Sequence, residues 1–450
     1  MIAARGSNDD ARQWVHIGFG AAAMLLRYLP WWQAVVLAAA AVMFNIRLLH
    51  HVARGRLHRP HELDQRVPVG LVLYPTSIVI LLLLLPSRPD IVAASWGILA
   101  AGDGAATLVG RRHGVRKWPW NRQKSVAGST ALFLAGGLAG SFLAWWCRPA
   151  VIPPAYLWFS VAAPLVAALA AAAVETAPIR LDDNLSVPLT AAAVLWALSL
   201  INEDLAQGFL LAAPPALAIA IPANGAVAWA GYAARIVSKS GAISGAIIGT
   251  VIYLCTGWPG WVLLLAAFAC AAITSRMGLR RKVLLGIAEA HGGRRGAGNA
   301  IANTGVAAVA AILSVVSFGQ VDALIAFTAA LTAGASDTIA SEIGKAWGRG
   351  TWAILPPRPV PPGTSGAVSF EGTAAGLIGA GALATLAMAV GLIPGQALVP
   401  VVGGATVSSL VESLLGAAFE GSGVLNNDAL NLINTGSAAF VAVSLAGVLP

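Results

Sequence analysis

Asp103 stands between two glycines, in Gly102-Asp103-Gly104, near the end of an apolar run and just ahead of Arg111-Arg112. A carboxylate kept at the end of an apolar run is costly, and such residues usually serve a function. Glycine lets a backbone come close to a ligand, and a hard carboxylate oxygen suits Mg²⁺ shared with a phosphate. The following loop, Arg111-Arg112-His113-Gly114-Val115-Arg116-Lys117, ends at Lys124-Ser125, with Gly128-Ser129 just beyond. Its cations would hold a polyphosphate by point charge and by forked guanidinium donors. The bland alternative is a topogenic loop lying on anionic headgroups. Trp118 and Trp120 within it read as an interfacial belt.

A second stretch reads alike. Ser336-Asp337-Thr338 leads to Ser341-Glu342-Ile343-Gly344-Lys345, and then to Thr364-Ser365-Gly366-Ala367-Val368-Ser369. Here Thr364-Ser365 takes the place of Lys124-Ser125, so hydroxyls and backbone N–H groups are expected to do the equivalent work. In each half a later carboxylate ends a helix, Glu175 and then Glu412, followed by Asp182-Asp183-Asn184 and by Asn426-Asn427-Asp428. The whole chain holds only 19 acidic residues, so their recurrence in the same order carries information. The competing readings are interfacial anchors paired with nearby arginines and a chance alignment of small residues.

The elements that must position these groups are set by composition. Of 450 residues, 58% are hydrophobic and 10% charged, and the mean hydropathy is +0.76. Soluble domains carry about 25% charged residues, which excludes a soluble enzyme of this length. Apolar runs of roughly 20 residues recur throughout, each long enough to cross a bilayer core and too long for barrel strands. They predict an all-α polytopic membrane protein with about fifteen transmembrane helices. Two of these, 241–257 and 259–275, are separated by Gly257-Trp258-Pro259. With a cytoplasmic start, every Lys and Arg except Arg27, Arg88 and Arg148 falls on the cytoplasmic side, as the positive-inside rule requires. Seven helices before the repeat is an odd number, so one linker helix restores the orientation. The expected organisation is therefore two seven-helix repeats in parallel orientation: 1–203, a linker at 204–235, and 236–450. Both motif sets then face the cytoplasm. Cys147, Cys255 and Cys270 show no metal-ligand spacing, and neither a GxxxxGK[ST] loop nor an HExxH motif occurs.

Residues 12–200 resemble the membrane-bound phytol kinase/dolichol kinase group of polyprenol kinases, which is related to the cytidylyltransferases of CDP-diacylglycerol synthesis. The residues carrying this are Arg12 with His16, Gly70 with Tyr74-Pro75, Gly102-Asp103-Gly104, Lys124-Ser125, Gly128-Ser129, and Glu175 with Asp182-Asp183-Asn184. Residues 236–449 resemble the phytyl-phosphate kinase family of integral membrane proteins. The match lies in Ser240-Gly241, Arg294 with Asn299 and Asn303, Asp337-Thr338, Ser341-Glu342-Ile343-Gly344, Gly363-Thr364-Ser365-Gly366, Ser369 with Gly372-Thr373, and Glu412-Ser413. Glu412 stands where that family usually has Asp, and Ile339 also departs from its pattern.

The resemblance implies a bifunctional membrane kinase that phosphorylates an isoprenoid alcohol to the monophosphate and then to the diphosphate. Mg²⁺ is the implied cofactor, with CTP, UTP or ATP as phosphate donor, and a bacterial inner membrane is the implied location. It implies catalytic roles for Asp103, Glu175, Asp183, Asp337, Glu342 and Glu412. Metal ligands would come from Asp103, Asp182, Asp183, Asn184, Asp337, Glu412 and Asp428. Phosphate and nucleotide contacts would come from Gly102, Gly104, Arg111, Arg112, Lys117, Lys124, Ser125 and Ser129. In the second half they would come from Arg294, Asn299, Asn303, Lys345, Thr364, Ser365 and Ser369. The partners are the prenol, its monophosphate and the bilayer; no nucleic acid is expected, and the oligomeric state stays open. Two other readings fit the same residues, a transporter built from repeats and a CTP-dependent lipid nucleotidyltransferase.

Overall fold

The computed structural model describes residues 13–47, 69–178, 180–287 and 294–448. Arg12 and the basic residues between 54 and 66 lie outside them. Among the described residues, ten helices are long and apolar enough to cross a membrane, and two shorter apolar helices accompany them. This is a mostly helical, multi-pass membrane protein. The chain divides into two compact units, Met1–Ser199 and Leu200–Pro450. The helix expected as a linker belongs to the second unit.

In the first unit a helical stretch over residues 13–27 is followed by α1 (Trp31–Arg47), α2 (Val69–Leu84), α3 (Pro89–His113), α4 (Val126–Ala150), α5 (Leu157–Glu175) and α6 (Asp183–Ser199). The core joins Ile98 and Leu99 of α3 to Leu132 and Leu143 of α4, the Ala167-Ala168-Ala171 stripe of α5, and Val187 and Leu195 of α6. In hydrocarbon there is no hydrophobic drive between helices, so close backbone approach through small residues holds them together. Asp90, fully buried at the start of α3, is clasped by Arg88, whose Nε and Nη2 donate to its two oxygens at 3.0 and 2.9 Å.

The second unit comprises α7 (Glu203–Ala233), α8 (Lys239–Arg276), the short α9 (Leu279–Leu284), α10 (Ala297–Val316), α11 (Gln320–Trp347), α12 (Phe370–Ala389), α13 (Gly395–Glu420) and α14 (Asn427–Ala446). Helix α8 reverses at Gly257, whose φ of 66° only glycine adopts readily, two residues before Pro259. The reversal brings both ends of α8 to Arg295. Ser238 N donates to Arg295 O at 3.0 Å, and Arg295 Nη2 donates to Ser275 Oγ at 3.3 Å. The two expected runs are thus the arms of one hairpin.

Helix α11 packs against α10, α12 and α14 and is the most buried of the ten spans; α3 is next. These two helices carry Asp337 and Asp103. The fold departs from an all-helical one at a small antiparallel sheet ordered β2-β1-β3, from β1 (Thr351–Ala353), β2 (Arg358–Pro359) and β3 (Ala367–Ser369). These segments lie between the apolar runs, and β1 and β3 hold Thr351, Trp352 and Val368, β-branched and aromatic residues that favour extended pairing where no helix competes.

Candidate functional site

The first site forms around Asp103, which closes a π-helical turn, Ile98–Asp103, within α3. Such turns recur at functional sites. A second π turn, Leu132–Gly136 in α4, lies against it. A Cβ on Gly102 would meet Leu132 Cγ at 3.2 Å and Gly136 Cα at 3.3 Å, and one on Gly104 would strike the Ile17 side chain. The glycines flanking Asp103 therefore make room for neighbouring helices.

The loop after α3 folds back on itself, with Trp118 N donating to Lys124 O at 3.2 Å and Val126 N to Arg116 O at 3.0 Å. Ser125 Oγ accepts from Gly128 N at 3.1 Å and so caps α4. The Trp118 and Trp120 rings stack at 4.8 Å; Trp118 Nε1 donates to Ser129 Oγ at 3.1 Å and Trp120 Nε1 to Thr176 Oγ1 at 3.2 Å. These tryptophans, expected as an interfacial belt, fasten the loop to α4 and to the end of α5. The loop so held delivers Lys124, whose Nζ lies 2.7 Å from both Glu175 Oε1 and Asp183 Oδ2. Burial works against the ammonium, but the Asp183 and Glu175 carboxylates outweigh it and raise the Lys124 pKa above its ordinary value.

Asp103, Glu175 and Asp183 present carboxylate oxygens that all lie within 4.8 Å of one another. They line a cavity of about 300 Å³ together with Lys124, Arg180, Asp182 and Asn184. Asp182 Oδ1 accepts from Asn184 N at 2.9 Å and from Asn184 Nδ2 at 2.7 Å, so it serves the start of α6. Asn184 Oδ1 is buried with no hydrogen-bond partner. Clustered hard oxygens with a spare amide oxygen beside them are the donor set that Mg²⁺ takes, so the residues fit that ion. Asp103 also stands 3.7 Å from His16 Nε2, and the His16 ring meets Tyr74 edge-on at 4.5 Å. Arg111, Arg112 and Lys117 are exposed and lie outside the cavity.

In the second unit, the Asp337 and Glu412 carboxyl groups are neighbours and line a cavity of about 280 Å³ with Lys345, Thr364, Ser365 and Ser369. Two carboxyl groups brought this close require a proton or a cation between them. Glu412 Oε2 is buried without a hydrogen-bond partner, an acceptor that a hard cation would satisfy.

The local frame repeats that of the first site. Ser369 Oγ caps α12 by accepting from Gly372 N at 3.1 Å. A Cβ on Gly344 would touch Ser369 Oγ at 2.9 Å, as one on Gly110 would touch Ser125 Oγ at 3.2 Å. Ser369, and not Ser365, therefore stands toward Gly344 and the helix that follows as Ser125 stands toward Gly110 and α4, whereas sequence order pairs Thr364-Ser365 with Lys124-Ser125. Thr364 and Ser365 belong instead to the loop around the sheet. That loop is seated by Gly366, whose φ is 68° and whose Cβ would run into Ser413 O and Ala417 N.

Five expected residues are not brought to the Asp337 cavity. Glu342, buried outside it, is held by Lys282 Nζ and, at 3.0 Å, by Lys345 Nζ. Asp428 stands against Gly298 of α10. Asn299 and Asn303 line a separate cavity. Arg294 is exposed. Linear order could not separate these, because it does not say which face of a helix a polar residue occupies. Lys282, fully buried, looked like one of the topogenic cations of Arg280-Arg281-Lys282, and nothing in that run marks it.

Comparison with known proteins gives a family match, "Integral membrane protein DUF92", over residues 222–439. An uncharacterized membrane protein of Synechocystis, sll0875, is 36% identical over 44% of this chain and 78% of its own length. Protein VTE6 of Arabidopsis thaliana, described as chloroplastic, is 35% identical over 46% of this chain and 64% of its own length. A probable phytol kinase 2, also chloroplastic, from Oryza sativa is 34% identical over 40% of this chain and 62% of its own length. The chain thus spans less than two thirds of these two plant relatives. No solved structure matches it.

Proposed function

The chain belongs to the integral membrane protein DUF92 family, and from that premise we propose that it is a membrane kinase acting on isoprenoid alcohols. The observation that carries this reading is the meeting of Asp103, Glu175 and Asp183 within 4.8 Å, beside Lys124, in a chain similar to a probable phytol kinase. A lipid alcohol stays in the bilayer with its hydroxyl at the surface, where the aqueous nucleotide can reach it. The hydroxyl oxygen attacks the γ-phosphorus of CTP or another nucleoside triphosphate, the bond to the β-phosphate oxygen breaks, and the nucleoside diphosphate and the hydroxyl proton leave. Catalysis of this kind is positioning and charge neutralisation. Asp103, Glu175 and Asp183 would hold Mg²⁺, which when bound supplies neutralising charge to the phosphate oxygens. Lys124 keeps its positive charge at the rim of the cavity, where it faces the incoming phosphates.

The second unit is read as converting the monophosphate to the diphosphate, with Asp337 and Glu412 as its acidic pair and Lys345, Thr364, Ser365 and Ser369 around the phosphates. We read the whole as two parallel seven-helix repeats within about fifteen passages, both sites facing the cytoplasm. The shared Ser-cap-on-glycine frame, Ser125 on Gly110 and Ser369 on Gly344, supports that repeat. The test uses the purified full chain with Mg²⁺, phytol and CTP labelled at either the α- or the γ-phosphate. Label in the lipid from γ-labelled CTP alone is expected; label from the α-position makes the protein a nucleotidyltransferase, and none from either ends the kinase reading.

A further inference from the structure

The second unit holds a cavity apart from the Asp337 carboxylates, enclosed by α7, α8, α10 and α11, with a volume of about 140 Å³. It touches α11 at Leu331, Gly334 and Ala335, positions that share one face, whereas Ser336, Asp337 and Ala340 line the other cavity from a different face. Its walls are apolar, with Ile248, Leu264, Phe268 and Leu331 among them. Asn224, the polar residue of α7 in that wall, spends its amide on Ala220 O at 2.9 Å and its carbonyl on Trp261 Nε1 at 3.0 Å. Both ends of the Asn224 amide are thus already engaged, and a nucleobase buried against the apolar walls would lose its hydrogen bonds to water without replacement.

Polar residues gather at Arg295, Asn299 and Asn303. Arg295 is anchored there by main-chain bonds on both sides, N to Ile236 O at 3.1 Å and O from Ser238 N at 3.0 Å, with exposed Arg294 next to it. An apolar chamber joined to a guanidinium that also reaches Ser275 Oγ at 3.3 Å, and to two amides, of which Asn303 gives one N–H to Asn299 O at 3.0 Å, is complementary to an amphiphile with a hydrocarbon body and an anionic head. A cavity of about 150 Å³ takes a benzene-sized guest, roughly the bulk of one five-carbon isoprene unit.

We propose that this cavity binds a prenyl phosphate, taking the isoprene unit nearest the head, with the phosphate at Arg295, Asn299 and Asn303 and the remaining tail in the bilayer. The inference rests on the prenol kinase reading for the identity of the lipid, and not for the existence of the site. It assigns Asn299 and Asn303 to the lipid monophosphate and not to the nucleotide. Affinity is set by the branched first unit and the phosphate, and tail length beyond that unit matters little.

Gly245 supplies the means of testing this. It lines the cavity, and a Cβ there would meet nothing within 4 Å, so Gly245→Leu fills the chamber without straining the helix. Gly381, equally open but outside both cavities, gives the control Gly381→Leu. Binding of tritiated geranylgeranyl monophosphate to the full chain in detergent is measured with chelator and without nucleotide, so that no turnover contributes. Gly245→Leu is expected to weaken binding by more than about tenfold, since several buried carbons lose their place, while Gly381→Leu binds as wild type. Arg295→Gln is expected to weaken the monophosphate and leave displacement by geranylgeraniol unchanged. Undiminished binding in Gly245→Leu overturns the proposal, as does equal displacement by dodecyl phosphate, or displacement by CTP that Gly245→Leu abolishes. Transfer of γ-phosphate by the wild-type chain is scored separately. Its absence with a normal binding result removes the kinase reading alone, and its presence with undiminished binding in Gly245→Leu removes this inference alone.

Discussion

At the scale of single residues, Lys124 and Lys282 do different work although each is an ammonium paired with carboxylate. Lys124 sits at the rim of a cavity, 26% exposed, with two partners at 2.7 Å. Its folded pKa is raised above the ordinary value of about 10.4, so its ion pairing is complete below that value and is lost only as pH climbs through the raised one. Lys124→Met should therefore lower kcat/KM for the nucleotide by about 10- to 100-fold, the worth of a charged hydrogen bond. That factor should be constant from about pH 6 to 9; a penalty that shrinks as pH rises would mean that Lys124 titrates in that range. Lys282, by contrast, is sealed in with Glu342 and donates to Ser275 O at 2.7 Å. Removing one partner of a buried pair costs about 3–5 kcal/mol, while replacing both with apolar residues is often neutral. Lys282→Met should lower the thermal unfolding temperature in detergent, and Lys282→Met with Glu342→Leu should restore most of the loss. A double variant less stable than the single one would mean that the pair of Glu342 with Lys345, at 3.0 Å, holds the fold more than the pair with Lys282 does.

At the scale of elements, the two sites are assembled by small irregularities in otherwise regular helices. π turns adjoin Asp103 and follow Glu412, at Ile98–Asp103 and Gly416–Glu420. Serine caps at Ser125 and Ser369 set the start of the helix that follows each loop. Gly366 seats the sheet-bearing loop on α13 through a positive φ and a close approach, and any Cβ there meets both penalties. The left-handed conformation alone costs about 1–2 kcal/mol for a residue with a Cβ. Gly366→Ala should therefore lift Thr364 and Ser365 away from Asp337, abolishing monophosphate-to-diphosphate conversion while phosphorylation of the alcohol continues. Product analysis by mass spectrometry, with prenol and prenyl monophosphate offered separately, checks this; equal loss of both steps would contradict it.

At the scale of the whole molecule, the described residues lining the Asp103 cavity all belong to the first unit and those lining the Asp337 cavity all belong to the second. Asp103→Asn should accordingly block use of the alcohol and spare the monophosphate, whereas Asp337→Asn should let monophosphate accumulate from the alcohol. Loss of both activities in both folded variants would point to one composite site. Composition alone determined the membrane class, because apolar content and the length of apolar runs are local properties that the bilayer reads directly. Local order also marked Asp103, Glu175, Asp337 and Glu412, since a carboxylate at the end of an apolar run is conspicuous wherever it packs. Which of these groups meet was decided by tertiary structure. Spacing along one helix says nothing of which other helix end arrives beside it, and in a chain with 49 glycines many close packings look equally permitted. The fold thus brought Asp183 rather than Asp182 to Lys124, gave Ser369 the role expected of Ser365, and turned Asn299 and Asn303 toward a different cavity. All three outcomes depend on helix packing, which arises from contacts distant in sequence, and the last depends also on the reversal of α8 at Gly257, whose two arms line that cavity.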